Sequence, residues 1–366
     1  MKIVIAGNYG AKNFGDELIL KGLLKTMKEC FADATFTVLS GDIVETQNIH
    51  GVDCAEKFPA GIRSFLKNIF CKKSDAFKKV KECDYFVLGG GGLFGGPKTR
   101  ADFIWGRQAL MAYKYGKKVV MLGQSIGMIK NPPSKFLVKK LFEKATLISV
   151  RDESSKKRLQ ELGIKKDIGV YPDFAFFSES ESESVHKKDQ ILVSLREMNS
   201  LPKNFENNIA EFLNWLAKEK NWQVVLADFQ KGVESDEHLR KKITEKIIDK
   251  SKIEIINDHD LKKIITKYKE SKMVLGMRLH SLILAIKTNT PFIALNYAPK
   301  VKDLLAFSGF KELAINLDEA TFENLKEQFS KTLSQENELI SKFETHNKKT
   351  QKEYEKFKTF IKNALK

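Results

Sequence analysis

Arg278 and His280 stand close together in Gly276-Met277-Arg278-Leu279-His280, where an apolar strand gives way to an apolar helix. A guanidinium suits a carboxylate or phosphate, and an imidazole exchanges a proton near neutral pH. A helix N-terminus adds unpaired N–H groups and a partial positive charge. The pattern therefore predicts a site that binds a small anion and moves a proton beside it. The competing reading is a strand–turn–helix that merely carries surface charges. Other cations hold similar positions: Arg151 after strand 145–150, Arg196 after strand 191–195, and Lys300 after strand 291–295. Arg151 is followed by Asp152, so a structural Arg–Asp clamp competes there with a ligand role.

Near the N-terminus, Gly7-Asn8-Tyr9-Gly10-Ala11-Lys12-Asn13-Phe14-Gly15-Asp16-Glu17 is glycine-rich. It has neither the spacing of a dinucleotide fingerprint nor the Gly-Lys-Ser/Thr ending of a P-loop. It closes on Asp16-Glu17 at a helix start. Carboxylates there complement the helix dipole, or accept hydrogen bonds from sugar hydroxyls or serve as a base. The run Gly89-Gly90-Gly91-Gly92 after a strand permits close approach of a ligand or a second backbone.

The elements that must position these residues alternate. Strands 2–6, 36–39, 84–88, 118–122 and 145–150 are separated by helices 16–29, 102–115 and 133–144, with a further helix at 154–162. After a polar, acidic stretch, strands 191–195, 223–227, 252–256, 273–275 and 291–295 alternate with helices 205–218, 236–248 and 260–270. Such alternation implies parallel α/β sheets with ligands at the carboxyl ends of the strands. The expected division is an N-terminal Rossmann-like domain (1–176), a linker (177–189), a C-terminal Rossmann-like domain (190–345) and a helical tail (346–366). It places the Arg278/His280 loop in a cleft facing the loops of the first domain.

With 366 residues, two domains are the default. A hydrophobic share of 42% supports full cores, and no apolar run is long enough to cross a bilayer. Cys30, Cys54, Cys71 and Cys83 form no CxxC pair and meet no histidine cluster, so reduced thiols in a cytoplasmic protein are expected, with no metal. A net charge of +16 points to nucleic acid, an anionic membrane surface or an anionic substrate. No nucleic-acid-binding pattern is visible, and none is expected as a partner. The stretch Ile62-Arg63-Ser64-Phe65-Leu66-Lys67-Asn68-Ile69-Phe70-Cys71-Lys72-Lys73, continued to Lys81, mixes apolar and basic residues. It fits either an anionic membrane face, giving a membrane-associated protein, or a helix with its apolar side in the core.

Taken in order, the motifs resemble the polysaccharide pyruvyl transferase family, especially its cell-surface-anchoring (CsaB-like) members. The matching pieces are Gly7-Asn8-Tyr9-Gly10, Asn13-Phe14-Gly15-Asp16-Glu17, Gly89–Gly92 with Leu93, the Gly123 to Gly127 turn, Ser149-Val150-Arg151-Asp152, Pro172-Asp173, Ser194-Leu195-Arg196, Gly276-Met277-Arg278-Leu279-His280 and Tyr297-Ala298-Pro299-Lys300. Met128 and Gly95-Gly96 depart from the family pattern. The resemblance implies a GT-B-like fold of two facing Rossmann-like domains with parallel sheets. It implies an enzyme that takes phosphoenolpyruvate as co-substrate, with no cofactor, and forms a pyruvate ketal on a sugar of a lipid-linked cell-wall or surface glycan precursor. His280 and Arg151 would be catalytic, Arg278, Arg196 and Lys300 would hold the donor, and Asn13, Asp16 and Glu17 the acceptor. A GT-B glycosyltransferase using a nucleotide sugar is the alternative. A non-catalytic module for anionic glycans or lipids leaves His280 and the strand-end arginines unexplained.

Overall fold

The computed structural model describes residues 1–366 apart from 62, 65–73, 97–98, 179–184, 233–234, 258–259 and 366. The chain divides into two compact units: Met1–Ala11, Asp16–Ser178 and Gln351–Lys366 form the first, and Lys12–Gly15 with Glu179–Thr350 form the second.

Among the described residues the first unit carries an eight-stranded sheet. Its strands are β1 (Lys2–Ala6), β2 (Thr35–Ser40), β3 (Asp53–Glu56), β4 (Tyr85–Leu88), β5 (Gly91–Phe94), β6 (Lys118–Ile126), β7 (Leu147–Val150) and β8 (Gly169–Val170). They lie in the order β3-β2-β1-β4-β6-β7-β8, with β5 paired to β6, and every pairing is parallel. Parallel strands need helices on both faces, so their residues are buried on both sides. Ile3, Val4, Ile5 and Ala6 of β1 are accordingly all buried, as are Val119, Val120, Met121 and Leu122 of β6.

The second unit carries, among the described residues, a six-stranded parallel sheet: β9 (Lys188–Ser194), β10 (Gln223–Ala227), β11 (Ile253–Ile256), β12 (Ser271–Gly276), β13 (Phe292–Asn296) and β14 (Ala314–Asn316). The order β11-β10-β9-β12-β13-β14 is the doubly wound arrangement of a dinucleotide-binding sheet. The direction of winding reverses between β9 and β12, which opens a crevice at their carboxyl ends.

Several elements differ from those read in the sequence. The glycine run is half strand, because Gly91 and Phe94 pair with Gln124 and Ile126. The strand expected at 118–122 continues to Ile126 through Gly123, whose φ of 60° lets the register shift without breaking the sheet. In the basic stretch, the described helix Asp75–Glu82 turns Ala76, Phe77 and Val80 inward, and Phe77 packs edge-on against Phe58 at 4.7 Å. That portion is a core helix, whereas residues 62 and 65–73 of the same stretch lie outside the described residues.

The charged tail is two helices, Phe322–Ser334 and Glu336–Ala364. Residues beyond Thr350 cluster with the first unit, not as a separate tail. Phe357 stacks on Tyr171 at 4.3 Å, Tyr354 packs against Phe177 at 4.7 Å, and Tyr85 donates its hydroxyl to the Leu365 carbonyl at 3.1 Å. Cys30, Cys54 and Cys83 are free thiols, and Cys71 lies outside the described residues.

Candidate active site

Strand register brings the second unit's cations into one crevice. Gly276 of β12 pairs with Ser194 of β9 on one side and with Ala294 of β13 on the other. Arg196, Arg278 and Tyr297 lie just beyond this aligned row, at the carboxyl ends of three neighbouring strands. The Met277 N–H donates to the Ser194 carbonyl at 2.8 Å, and the Arg196 N–H reaches Met277 Sδ at 3.3 Å, so the two loops leave the sheet in contact. Two helices start here, Leu279–Lys287 after β12 and Pro299–Ser308 after β13, and neither has a side-chain cap on its N-terminal N–H groups. Uncapped helix N-termini beside cations favour an anion.

Asp236 anchors the crevice from below. It is 3% exposed and accepts hydrogen bonds from the Phe229 and Gln230 N–H groups at 3.1 Å each. Arg278 donates to it through Nε at 3.2 Å and also through Nη2. Burial pushes the Asp236 carboxyl above its ordinary range, and Arg278 with the backbone donors pulls it part of the way back. A parallel pair lies alongside, where Arg240 Nε bridges both oxygens of Asp228 at 3.0 and 2.9 Å. Arg278 is thus oriented by a carboxylate fixed to the backbone.

Arg196 and Lys300 converge on Tyr297. Arg196 Nη1 donates to the phenol oxygen at 2.9 Å, and the Lys300 amine stands 5.5 Å from the ring centroid. Burial pushes the phenol up, but the charges and hydrogen bonds of Lys300 and Arg196 outweigh it, leaving Tyr297 below its ordinary value. A phenol held this way gives up its proton more readily than a free tyrosine.

His280 is positioned by a segment distant in sequence. Residues 12–15 belong to the second unit: Phe14 N–H donates to the Phe229 carbonyl at 2.8 Å, Lys231 N–H to the Lys12 carbonyl at 3.0 Å, and Asn13 Nδ2 to Gln230 Oε1 at 2.6 Å. The Phe14 and Phe229 rings pack at 4.6 Å. This places Gly15 against the His280 ring, so that a Cβ added at Gly15 would stand 1.9 Å from Nδ1 and 2.7 Å from Cγ. Glycine at 15 is therefore a steric requirement of the imidazole.

In the first unit, Asp16 Oδ2 accepts from Asn8 Nδ2 at 2.8 Å. Glu17 is 5% exposed and holds the loop internally, with Oε1 accepting from the Gly10 N–H at 2.8 Å and Oε2 2.9 Å from His50 Nε2. Tyr9 is fully buried, and a Cβ at Gly89 would stand 2.2 Å from its hydroxyl. The first glycine of the run after β4 thus answers to a tyrosine. Arg151 Nη1 donates to Asp173 Oδ2 at 2.8 Å, and Asp152 caps the next helix through the Ser155 N–H at 2.6 Å. The Arg–Asp clamp read as the competing possibility is present, with Asp173 rather than Asp152 as its hydrogen-bonded acid.

The sequence pattern of the polysaccharide pyruvyl transferases matches residues 13–299, from the loop that seats His280 to the last strand end of the crevice. The chain belongs to this family. The amylovoran biosynthesis protein AmsJ of Erwinia amylovora is 22% identical, over 93% of this chain and 98% of its own length. Among solved structures, the UDP-GlcNAc 2-epimerase of Methanocaldococcus jannaschii matches with a TM-score of 0.64 at 14% identity, over 91% of this chain and 93% of that one. A glycosyltransferase of Rickettsia africae matches with a TM-score of 0.59 at 14% identity, over 99% of each chain. These likenesses show the fold, two parallel-sheet α/β units of GT-B type.

In this pyruvyl transferase family member, the sequence-predicted residues fall into two sets. Asn13, Arg196, Arg278, His280 and Lys300 belong to the second unit, and Asp16, Glu17 and Arg151 to the first. Asn13, expected on the first domain, sits instead with Gln230. Three further residues escaped the sequence reading. Asp236 looked like a helix start, and Tyr297 was only a motif letter. Lys57 had no signal at all, yet burial pushes its amine down to about 8 against the opposing pull of Asp16 and Glu17. Among the described residues no group of three or more His, Cys, Asp or Glu is placed to hold a metal ion.

Proposed function

We propose that this chain transfers a pyruvyl group from phosphoenolpyruvate to two hydroxyls of one sugar in a lipid-linked surface-glycan precursor, forming a ketal and releasing phosphate. The observation that carries the reading is the convergence of Arg196 and Lys300 on Tyr297, beside two uncapped helix N-termini and the Asp236-oriented Arg278. A small polyanion with a carboxylate and a phosphate matches such a set of donors.

In the first step one sugar hydroxyl adds to the central enol carbon, a proton passes to the methylene carbon, and a phospho-ketal results. The bond from that carbon to the phosphate oxygen then breaks, with its electron pair leaving on phosphate. The second hydroxyl adds to the same carbon and loses its proton, which closes the ring. His280 exchanges the protons, and Tyr297 adds an acidic hydroxyl at the leaving phosphate. Arg151 stabilises developing negative charge. Asp16 and Asn13 meet the acceptor, while Glu17, buried, holds the loop that presents Asp16.

Phosphate release from phosphoenolpyruvate, measured with N-acetylmannosamine-, glucose- and galactose-containing lipid-linked acceptors, tests the reading. Release that depends on one acceptor, with product mass raised by one ketal, is the expected result. Transfer from a nucleotide sugar without any phosphoenolpyruvate turnover would replace the reading with a glycosyltransferase.

The pH profile tests the tyrosine separately. If Tyr297 acts as an acid, kcat/KM falls on the alkaline side as it ionises, at a pH below that of an ordinary tyrosine. Tyr297→Phe is expected to lose that limb and about ten- to a hundredfold in kcat/KM, the worth of one hydrogen bond to a charged group. An alkaline limb unchanged in Tyr297→Phe would remove the tyrosine from the chemistry.

A further inference from the structure

The helix Arg100–Lys114 in the first unit has a surface that the transfer reaction leaves unused. Arg100, Phe103, Arg107, Leu110 and Lys114 recur at alternating three- and four-residue steps and so form one stripe along it. Phe103 is 41% exposed and Leu110 37% exposed, so apolar side chains stand between the cations along this stripe. At the helix N-terminal end the stripe opens into a pocket of about 440 Å³, walled by Arg63, Arg100, Arg107, Phe103, Ile104 and Gly61. No carboxylate is among its described lining residues. Burial and the neighbouring Arg100 charge push the Arg107 guanidinium below its ordinary value, as expected for like charges gathered at one place. The adjoining helix Pro132–Lys144 packs on this one, since a Cβ at Gly106 would stand 2.8 Å from Leu137, and Tyr113 donates to the Leu141 carbonyl at 2.8 Å. It exposes Phe136 by 71% together with Lys135, Lys139 and Lys140.

We propose that this face rests on an anionic phospholipid surface, with the arginine-lined pocket taking a lipid phosphate and Phe103 and Leu110 entering the acyl boundary. Guanidinium groups in a carboxylate-free pocket complement phosphate. Exposed aromatic and leucine side chains interleaved with basic ones mark an interfacial helix and have no counterpart in a purely electrostatic nucleic-acid contact. The surface overlaps the one the sequence suggested only at Arg63, because the helix Asp75–Glu82 at the far end of that stretch turns its apolar face inward. The binding does not depend on which group the enzyme transfers.

The test is flotation of the full-length protein with vesicles of phosphatidylcholine alone or mixed with an equal part of phosphatidylglycerol. Wild type is expected to float with the mixed vesicles and not with the neutral ones. Arg63→Glu and Arg100→Glu are each expected to weaken binding by about fivefold or more, the effect of one basic charge at an anionic leaflet. Phe103→Ser is expected to weaken it as well, while Lys203→Glu, at an exposed lysine of the second unit, leaves it unchanged. No hydrogen bond or ion pair engages the Arg63 or Arg100 side chain among the described residues, and thermal unfolding checks that their variants fold. Equal binding to both vesicle types, variants that match wild type, or retention on nucleic acid without flotation would each overturn the proposal.

Discussion

Replacing His280 by alanine is expected to lower turnover by roughly two to four orders of magnitude, the usual contribution of a positioned acid–base group. Gly15 makes this a sharper test than an ordinary knockout. In a helix of unremarkable surroundings, glycine to alanine stabilises by about 1 kcal/mol, and Gly15 lies in the first turn of the helix Phe14–Cys30. Here the new methyl would stand 1.9 Å from His280 Nδ1. Gly15→Ala is therefore expected to reverse the helix preference, destabilising by about 1–3 kcal/mol as overpacking does. Displacing the ring also costs about a hundredfold in turnover, since misplacement of a catalytic group by about 1 Å has that effect. Combining the two changes removes the clash. The Gly15→Ala/His280→Ala protein is expected to be at least as stable as His280→Ala alone and no slower, a coupling that a thermodynamic cycle measures directly. Additive losses in stability would show that Gly15 and His280 do not act on each other.

Much of this architecture was legible because parallel sheets announce themselves as short apolar runs separated by amphipathic helices. Of the strands expected in each half, all are present, and their ends carry Arg151, Arg196, Arg278 and Lys300 as anticipated. What was not legible depends on contacts between distant segments. No local pattern tells that residues 12–15 pair with the loop at 229–231, because the contact is one isolated bridge at Asn13 and Gln230 with a few flanking bonds. Gly15 looked like part of a ligand-binding glycine loop, although its neighbour is a histidine ring. Gly89 was read as permitting the close approach of a ligand or a second backbone, and its neighbour is Tyr9. There glycine was correctly taken as a sign of close approach, and only the identity of what approaches was missing. Asp236 shows the opposite case: an acid before a helix is so common as a cap that its role under Arg278 leaves no trace in sequence. The strand β3 and the helix Ile43–His50 were missed because each is too short to show a period.

Asp236→Ala is expected to destabilise the second unit strongly. The carboxylate is 3% exposed and joins Arg278 to the Phe229 and Gln230 N–H groups. Truncation leaves a cation whose side chain is only 12% exposed without its counter-charge, and the Phe229, Gln230 and Glu197 N–H groups without their carboxylate acceptor. Removing one partner of a buried ion pair typically costs about 3–5 kcal/mol, far more than the pair contributes over an apolar replacement. Asp236→Asn keeps the volume and one carbonyl acceptor but not the charge. Because burial already pushes this carboxyl above its ordinary range, loss of its charge relieves part of the desolvation cost. The asparagine variant is therefore expected to lose less stability than the alanine variant, while still releasing Arg278 from its fixed orientation and raising KM for the anionic donor. Urea unfolding separates these outcomes. Trp215 and Trp222 lie in the second unit and Trp105 in the first, so fluorescence in a Trp105→Phe background reports the second unit alone. Fluorescence midpoints that rise in the order alanine, asparagine, wild type are the expected pattern. Equal midpoints for all three would mean that Arg278 finds water as readily as it finds Asp236, and that its aim into the crevice comes from the β12 turn alone.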